Sequence, residues 1–172
     1  ADAAHSSVRG TAMIFVRFMS LLLTALVAGL TFCHLLELPN KLAMPAETWL
    51  AVQQHLYNMF GPVGGPMEVG ALLFTLAAAI LIRRRQPAAF APTLLALCCI
   101  LAALVVWFAV VNPVNLRVNG WTAAALPGDW TAARTQWEYG HAASFALLLV
   151  ALGALIFAAL TAPEKGGASA AR

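Results

Sequence analysis

The chain has 172 residues, of which 62% are hydrophobic and 10% charged, and its mean hydropathy is +0.82. That balance excludes an ordinary soluble domain and points to a membrane protein. A net charge of +3 without a basic patch interleaved with aromatics argues against nucleic acid as a partner, and the apolar composition makes the lipid bilayer the expected one.

Residues 1–12 are polar and do not begin with methionine, so they read as a processed tail or an appended remnant. A first apolar span covers residues 13–36, long enough for the roughly 20 residues that cross a hydrocarbon core. Arg17 before an apolar run resembles a signal sequence, but bulky Phe32 spoils the cleavage box before Cys33, so the span is expected to stay. It closes on "CHLLELPN", where His34 and Glu37 sit three residues apart on one helix face. A glutamate at a helix C-terminus is disfavoured by the dipole, and ionisable groups within membrane helices are usually functional.

The first connection, "PAETWLAVQQHLYNMF", places Trp49, Val52, Leu56, Met59 and Phe60 at helical spacing. It predicts a short interfacial amphipathic helix whose polar face carries Gln53, Gln54, His55 and Asn58. The second span, residues 63–82, holds Glu68 in its opening turns, where a helix N-terminus alone can account for an acid. Arg83, Arg84 and Arg85 lead to the third span, residues 90–111, in which Cys98 and Cys99 read as buried thiols acting as small apolar residues. "NPVN" follows, with Asn112 ending a helix beside Pro113 and Asn115 close behind. In the second long connection "PGDWTAARTQWEYGH" predicts a turn and then a helix capped by Asp129, which aligns Arg134, Glu138 and His141 and runs into the fourth span, residues 140–160. Glu138 has an obvious partner in Arg134 four residues earlier. Residues 162–172 are expected to be disordered.

The expected fold is all-α: one four-transmembrane-helix domain over residues 13–161. The arginines flanking the spans put both termini and the Arg-rich turn in the cytoplasm by the positive-inside rule. His34, Glu37, Glu68, Asn112, Asn115, Glu138 and His141 then gather at the outer leaflet, while the inner half is almost wholly apolar. The first and fourth helices are antiparallel, so His34-x-x-Glu37 and Glu138-x-x-His141 can face one another with both histidines deeper. All five tryptophans fall on the outer side, suggesting an aromatic-lined pocket.

Four short spans, "NPVN" and "RTQWEYGH" resemble the anthrone oxygenase-like membrane proteins, a family largely catalogued as a domain of unknown function. Asn112, Asn115, Trp121, Trp137 and His141 match its pattern; His34 and Glu37 are not part of it. The resemblance covers most of residues 14–160. It implies oxidation of an activated methylene by molecular oxygen with no added cofactor, His141 or His34 acting as base, Asn112 and Asn115 as oxyanion donors, and Trp121 and Trp137 against the bound molecule.

The residues alone leave other readings open. His34, Glu37, Glu68, Glu138 and His141 approach the carboxylate-bridged di-metal set but lack one carboxylate, which leaves a mononuclear iron, copper or, less favoured, zinc site. His34 and His141 as axial haem ligands would make the chain a redox-complex subunit. A non-catalytic assembly partner or a homo-oligomer is a third reading. No phosphate loop, nucleotide fingerprint or Ser-His-Asp pattern occurs. The Ala- and Leu-rich composition with arginine over lysine points to a bacterial inner membrane, the site facing the periplasm.

Overall fold

The computed structural model describes residues 2–57 and 59–161, with side chains from residue 10 onward. The expected disorder of residues 162–172 and the placing of Asn58 fall outside the described residues. The elements are α1 (Asp2–Ala43), α2 (Ala46–Ala51), α3 (Phe60–Ile82), α4 (Pro87–Val106), α5 (Asn112–Val118) and α6 (Trp130–Leu160). π-helical turns at Val52–Leu56 and Trp107–Val111 continue α2 and join α4 to α5. No strand occurs among the described residues, only one isolated bridge between Thr122 and Ala125. Four helices are long and apolar enough to cross a membrane: Gly10–Ala43, Phe60–Ile82, Pro87–Val118 and Trp130–Leu160. The chain is an all-α four-helix bundle of integral membrane type.

Its core is built from small residues. Ala28, Ala71, Ala96, Ala103 and Ala151 pack with Val27, Ile100 and Leu148 at the middle of the bundle. Between membrane helices, small side chains let backbones approach and gain dispersion contact. The outward faces carry Leu, Ile, Val and Phe, as lipid-facing surfaces should.

Two helix ends differ from expectation. α1 continues through Pro39 to Ala43, so Glu37 lies more than a turn inside the helix and the dipole argument against it weakens. The proline removes one N–H and leaves the carbonyl of Leu35 without its helical partner, a defect a helix can carry near its end. "NPVN" likewise does not end the third span. The π turn at Trp107–Val111 absorbs Pro113, and the chain runs on helically to Val118.

Other details also shift. The helix at Trp130 starts where expected, but the Asp129 side chain makes no capping bond; it pairs with Arg117 at 2.6 Å. In the first connection Trp49 is fully buried, while Leu56 at the end of the π turn and Met59 beyond it are exposed. Gln54 turns inward, donating to the carbonyls of Val118 and Trp121, while His55 is exposed as a solvated residue should be. Cys98 is exposed on the bundle surface rather than buried, and Cys33 donates weakly to Glu37.

The Arg-rich end is less apolar inside than expected. Ser20, Thr24, Thr75 and Thr93 are buried there. Thr24 and Thr93 donate to carbonyls four residues back, Ser20 bonds Thr75 across helices at 2.7 Å, and Arg17 donates to Gln86 and to the carbonyl of Ala158.

Candidate functional site

The inward face of α1 is a stripe in which Ser20, Thr24, Val27, Thr31 and His34 are buried at three- and four-residue spacing, with Lys41 buried seven residues further on. Because α1 runs past Pro39, Lys41 falls two turns beyond His34 on that face. α6 meets it with Trp137, Glu138, His141 and Ser144. Gly140 lets α6 come close to the π turn, where an added Cβ would lie 2.8 Å from Val111 and 3.1 Å from Val110. Gln136 completes that contact by donating to the carbonyl of Val110.

The two His/Glu pairs do face one another, with a cation between them. Lys41, 1% exposed, places its ammonium 3.2 Å from Glu37 and 3.1 Å from Glu138, and 3.4 Å from Nδ1 of His34. The ammonium also lies over the rings of Trp137, at 4.4 Å, and Tyr57, at 4.9 Å. Tyr57 donates to Glu37, and Trp49 Nε1 donates to Glu138 at 3.4 Å. Burial, then its bond to the Glu37 carboxylate, pushes the Tyr57 phenol above its ordinary range, so it stays a donor. Arg134 does not pair with Glu138. Its guanidinium donates to the carbonyls of Lys41 and Met44 and fastens the end of α1 to α6.

Next to this charged cluster is a partly open cavity of about 220 Å³. A cavity of roughly 150 Å³ already takes a benzene, so there is room for a small organic molecule. Aromatic side chains of Tyr57, Phe60, Trp107 and Trp137 wall it, and Gly61, Gly64 and Gly65 of α3 provide the space. Gly61 and Gly65 have nothing within 4 Å of a built Cβ. His34 and His141 line it with their rings in contact, centroids 4.2 Å apart.

Several polar atoms on this wall lack partners. Nδ1 of His141, Oε1 of Glu68 and Nε2 of Gln53 are buried and make no hydrogen bond. Buried polar atoms are normally satisfied, so these three are open to hydrogen bonds from whatever occupies the cavity, water included. Asn115 accepts from Trp137 Nε1 at 2.7 Å through its carbonyl oxygen, which leaves its amide hydrogens for a ligand.

The chain matches no family model, no curated protein and no solved structure. The anthrone oxygenase resemblance therefore rests on the four spans, the two short motifs and five matching residues: Asn112, Asn115, Trp121, Trp137 and His141. Of these, Asn115, Trp137 and His141 line the cavity. Asn112 and Trp121 do not: Asn112 is half-buried, and Trp121 packs on Trp49 and under Arg117.

The donor set fits a metal poorly. Among the described residues no three His, Cys, Asp or Glu side chains converge as metal ligands. Lys41 lies where a cation would bridge the carboxylates, and Glu68 is neighbour to the cavity rather than to that cluster. The contact between the rings of His34 and His141 leaves no cleft for a haem between them.

Sequence reasoning missed Lys41 and Tyr57. Lys41 lies beyond the "CHLLELPN" that closes the first apolar run, where Pro39 suggests a helix end. Its signal was the seven-residue step from His34 and the four-residue step from Glu37.

Proposed function

We propose that the chain is a membrane-embedded oxygenase that oxidises a flat, lipophilic aromatic molecule bearing an acidic carbon, with molecular oxygen as co-substrate. The observation that supports it most is His141, whose buried Nδ1 has no partner beside a cavity walled by four aromatic side chains. An unpartnered imidazole in an apolar aromatic pocket is suited to take a proton from a neutral substrate. The carbanion passes an electron pair to oxygen and forms a carbon–oxygen bond. The proton held by His141 returns to the resulting peroxide, and loss of water leaves a ketone. In sum, one methylene and one O2 give one carbonyl and one water. The amide hydrogens of Asn115 can stabilise the developing oxyanion.

The arginines favour a cytoplasmic Arg-rich end, so the cavity opens to the outer leaflet, on the periplasmic side if the source is bacterial. A lipophilic substrate would enter from the bilayer.

The test uses the purified protein in lipid nanodiscs with an anthrone, following oxygen uptake and quinone absorbance. His141→Ala should lower turnover by about 10²- to 10⁴-fold while tryptophan quenching still reports binding. Gly65→Leu should fill the cavity and lose binding with the bundle intact. Oxidation by the wild-type protein no faster than in empty nanodiscs would refute the reading.

A further inference from the structure

The two histidines lining the cavity are not equivalent, and Lys41 makes the difference. An ammonium has three hydrogens and no lone pair. Lys41 has three acceptors at hand: Glu37 at 3.2 Å, Glu138 at 3.1 Å and His34 Nδ1 at 3.4 Å. Toward an ammonium, Nδ1 can only accept. The competing arrangement would have Nδ1 carry the hydrogen and give it to Glu37, whose Oε2 is 3.7 Å away. That carboxylate is already engaged by Tyr57, Lys41 and Cys33, and Lys41 is nearer to the ring nitrogen.

The geometry points to Lys41 as a positioning residue that holds His34 with its hydrogen on Nε2, making His34 a hydrogen-bond donor to an oxygen of the molecule in the cavity. The Lys41 contact engages Nδ1, and the ring lines the cavity, so Nε2 is the nitrogen left for a ligand. His141 has no such fixing partner: its Nδ1 is unpaired. The pair therefore divides into a donor, His34, facing the same cavity as the Asn115 amide, and a base, His141. A neutral Nε2–H pre-aimed at a carbonyl or phenolate oxygen stabilises negative charge there without reorganisation. Lys41 thus orders the site as a bridging metal would, while remaining outside the cavity.

This division of roles rests on the cavity being the reacting site, but the tautomer itself can be read without substrate. The experiment is nitrogen NMR of protein with ¹⁵N-labelled histidine in nanodiscs at neutral pH, with the His34 signals assigned by their loss in His34→Gln. Wild-type His34 should show a hydrogen on Nε2 and a bare, accepting Nδ1. In Lys41→Met the nearest acceptor for a ring hydrogen becomes Glu37, and the hydrogen should move to Nδ1. Wild-type His34 with its hydrogen on Nδ1, or an even mixture, overturns the inference whether or not the variant folds. So does a Lys41→Met spectrum identical to wild type.

Anthrone kinetics supply the second readout. Lys41→Met should lower kcat about 10²-fold, the loss expected for one oxyanion donor, with KM nearly unchanged. A variant that had merely lost its fold would lose binding as well. If His34 has the expected tautomer but wild-type protein turns over no anthrone, the oxygenase reading falls and the tautomer assignment stands.

Discussion

Removing Lys41 should be among the most destabilising single changes available in this bundle, and the damage should fall on Glu138 rather than Glu37. The Lys41 and Glu138 side chains are 1% and 0% exposed, whereas Glu37 retains 33%. In Lys41→Met, Glu37 keeps its bond from Tyr57 and access to solvent, but Glu138 keeps only Trp49. Breaking a buried pair by deleting one partner costs about 3–5 kcal/mol, because a charge is left uncompensated. Glu138→Gln alone should cost less, about 1–3 kcal/mol, since an amide oxygen still accepts from Trp49 and Lys41 still has Glu37. Adding Glu138→Gln to Lys41→Met should restore stability, giving a coupling energy near the upper part of the roughly 0.5–3 kcal/mol range for contacting residues. Reversible unfolding in mixed micelles, followed by circular dichroism, measures all four corners of the cycle. A coupling below about 0.5 kcal/mol, or equal rescue by Glu37→Gln, would refute the placement of the charge.

Two further outcomes follow from packing and burial. Gly140→Ala brings a methyl group 2.8 Å from the branched Val111 side chain, and it should cost about 1–3 kcal/mol despite alanine's better helix propensity; unchanged stability would mean that α6 does not approach the π turn so closely. Tyr57 should resist ionisation: with Tyr139→Phe removing the other tyrosine, no tyrosinate absorbance should appear near the ordinary phenol value of about 10. Because the folded value is raised, the Tyr57 contribution to stability is complete below about pH 10 and falls above it, as the unfolded chain ionises first. A normal titration would show that the phenol is not held by Glu37.

The sequence made the four helices plain, because lipid demands long apolar runs and little else resembles them. The meeting of His34, Glu138 and His141 was also legible, since three-residue spacing on antiparallel helices fixes which side chains share a face. Proline was the misleading signal. Pro39 and Pro113 both suggest a helix end in water, but in a membrane bundle the backbone continues past them, once near a terminus and once through a π turn. That error hid Lys41 and, with it, the reason Glu37 and Glu138 can be buried so close together. Asn112 and Trp121 fall at the right depth and within the motif likeness, but neither depth nor motif says which helix face a side chain takes. Only the geometry separates them from Asn115 and Trp137.

The two π turns flank the cavity, one supplying Gln53 and the other Trp107. Each is an α-helix with one residue too many for its turn. Deleting a single residue from 52–56 or 107–111 would restore regular hydrogen bonding and rotate the following segment by about 100°. The first deletion would carry Tyr57 away from Lys41, and the second would carry Asn115 away from Trp137. Among relatives of this chain, single-residue gaps at these two places should therefore mark lineages that kept the bundle and lost the lining of this cavity.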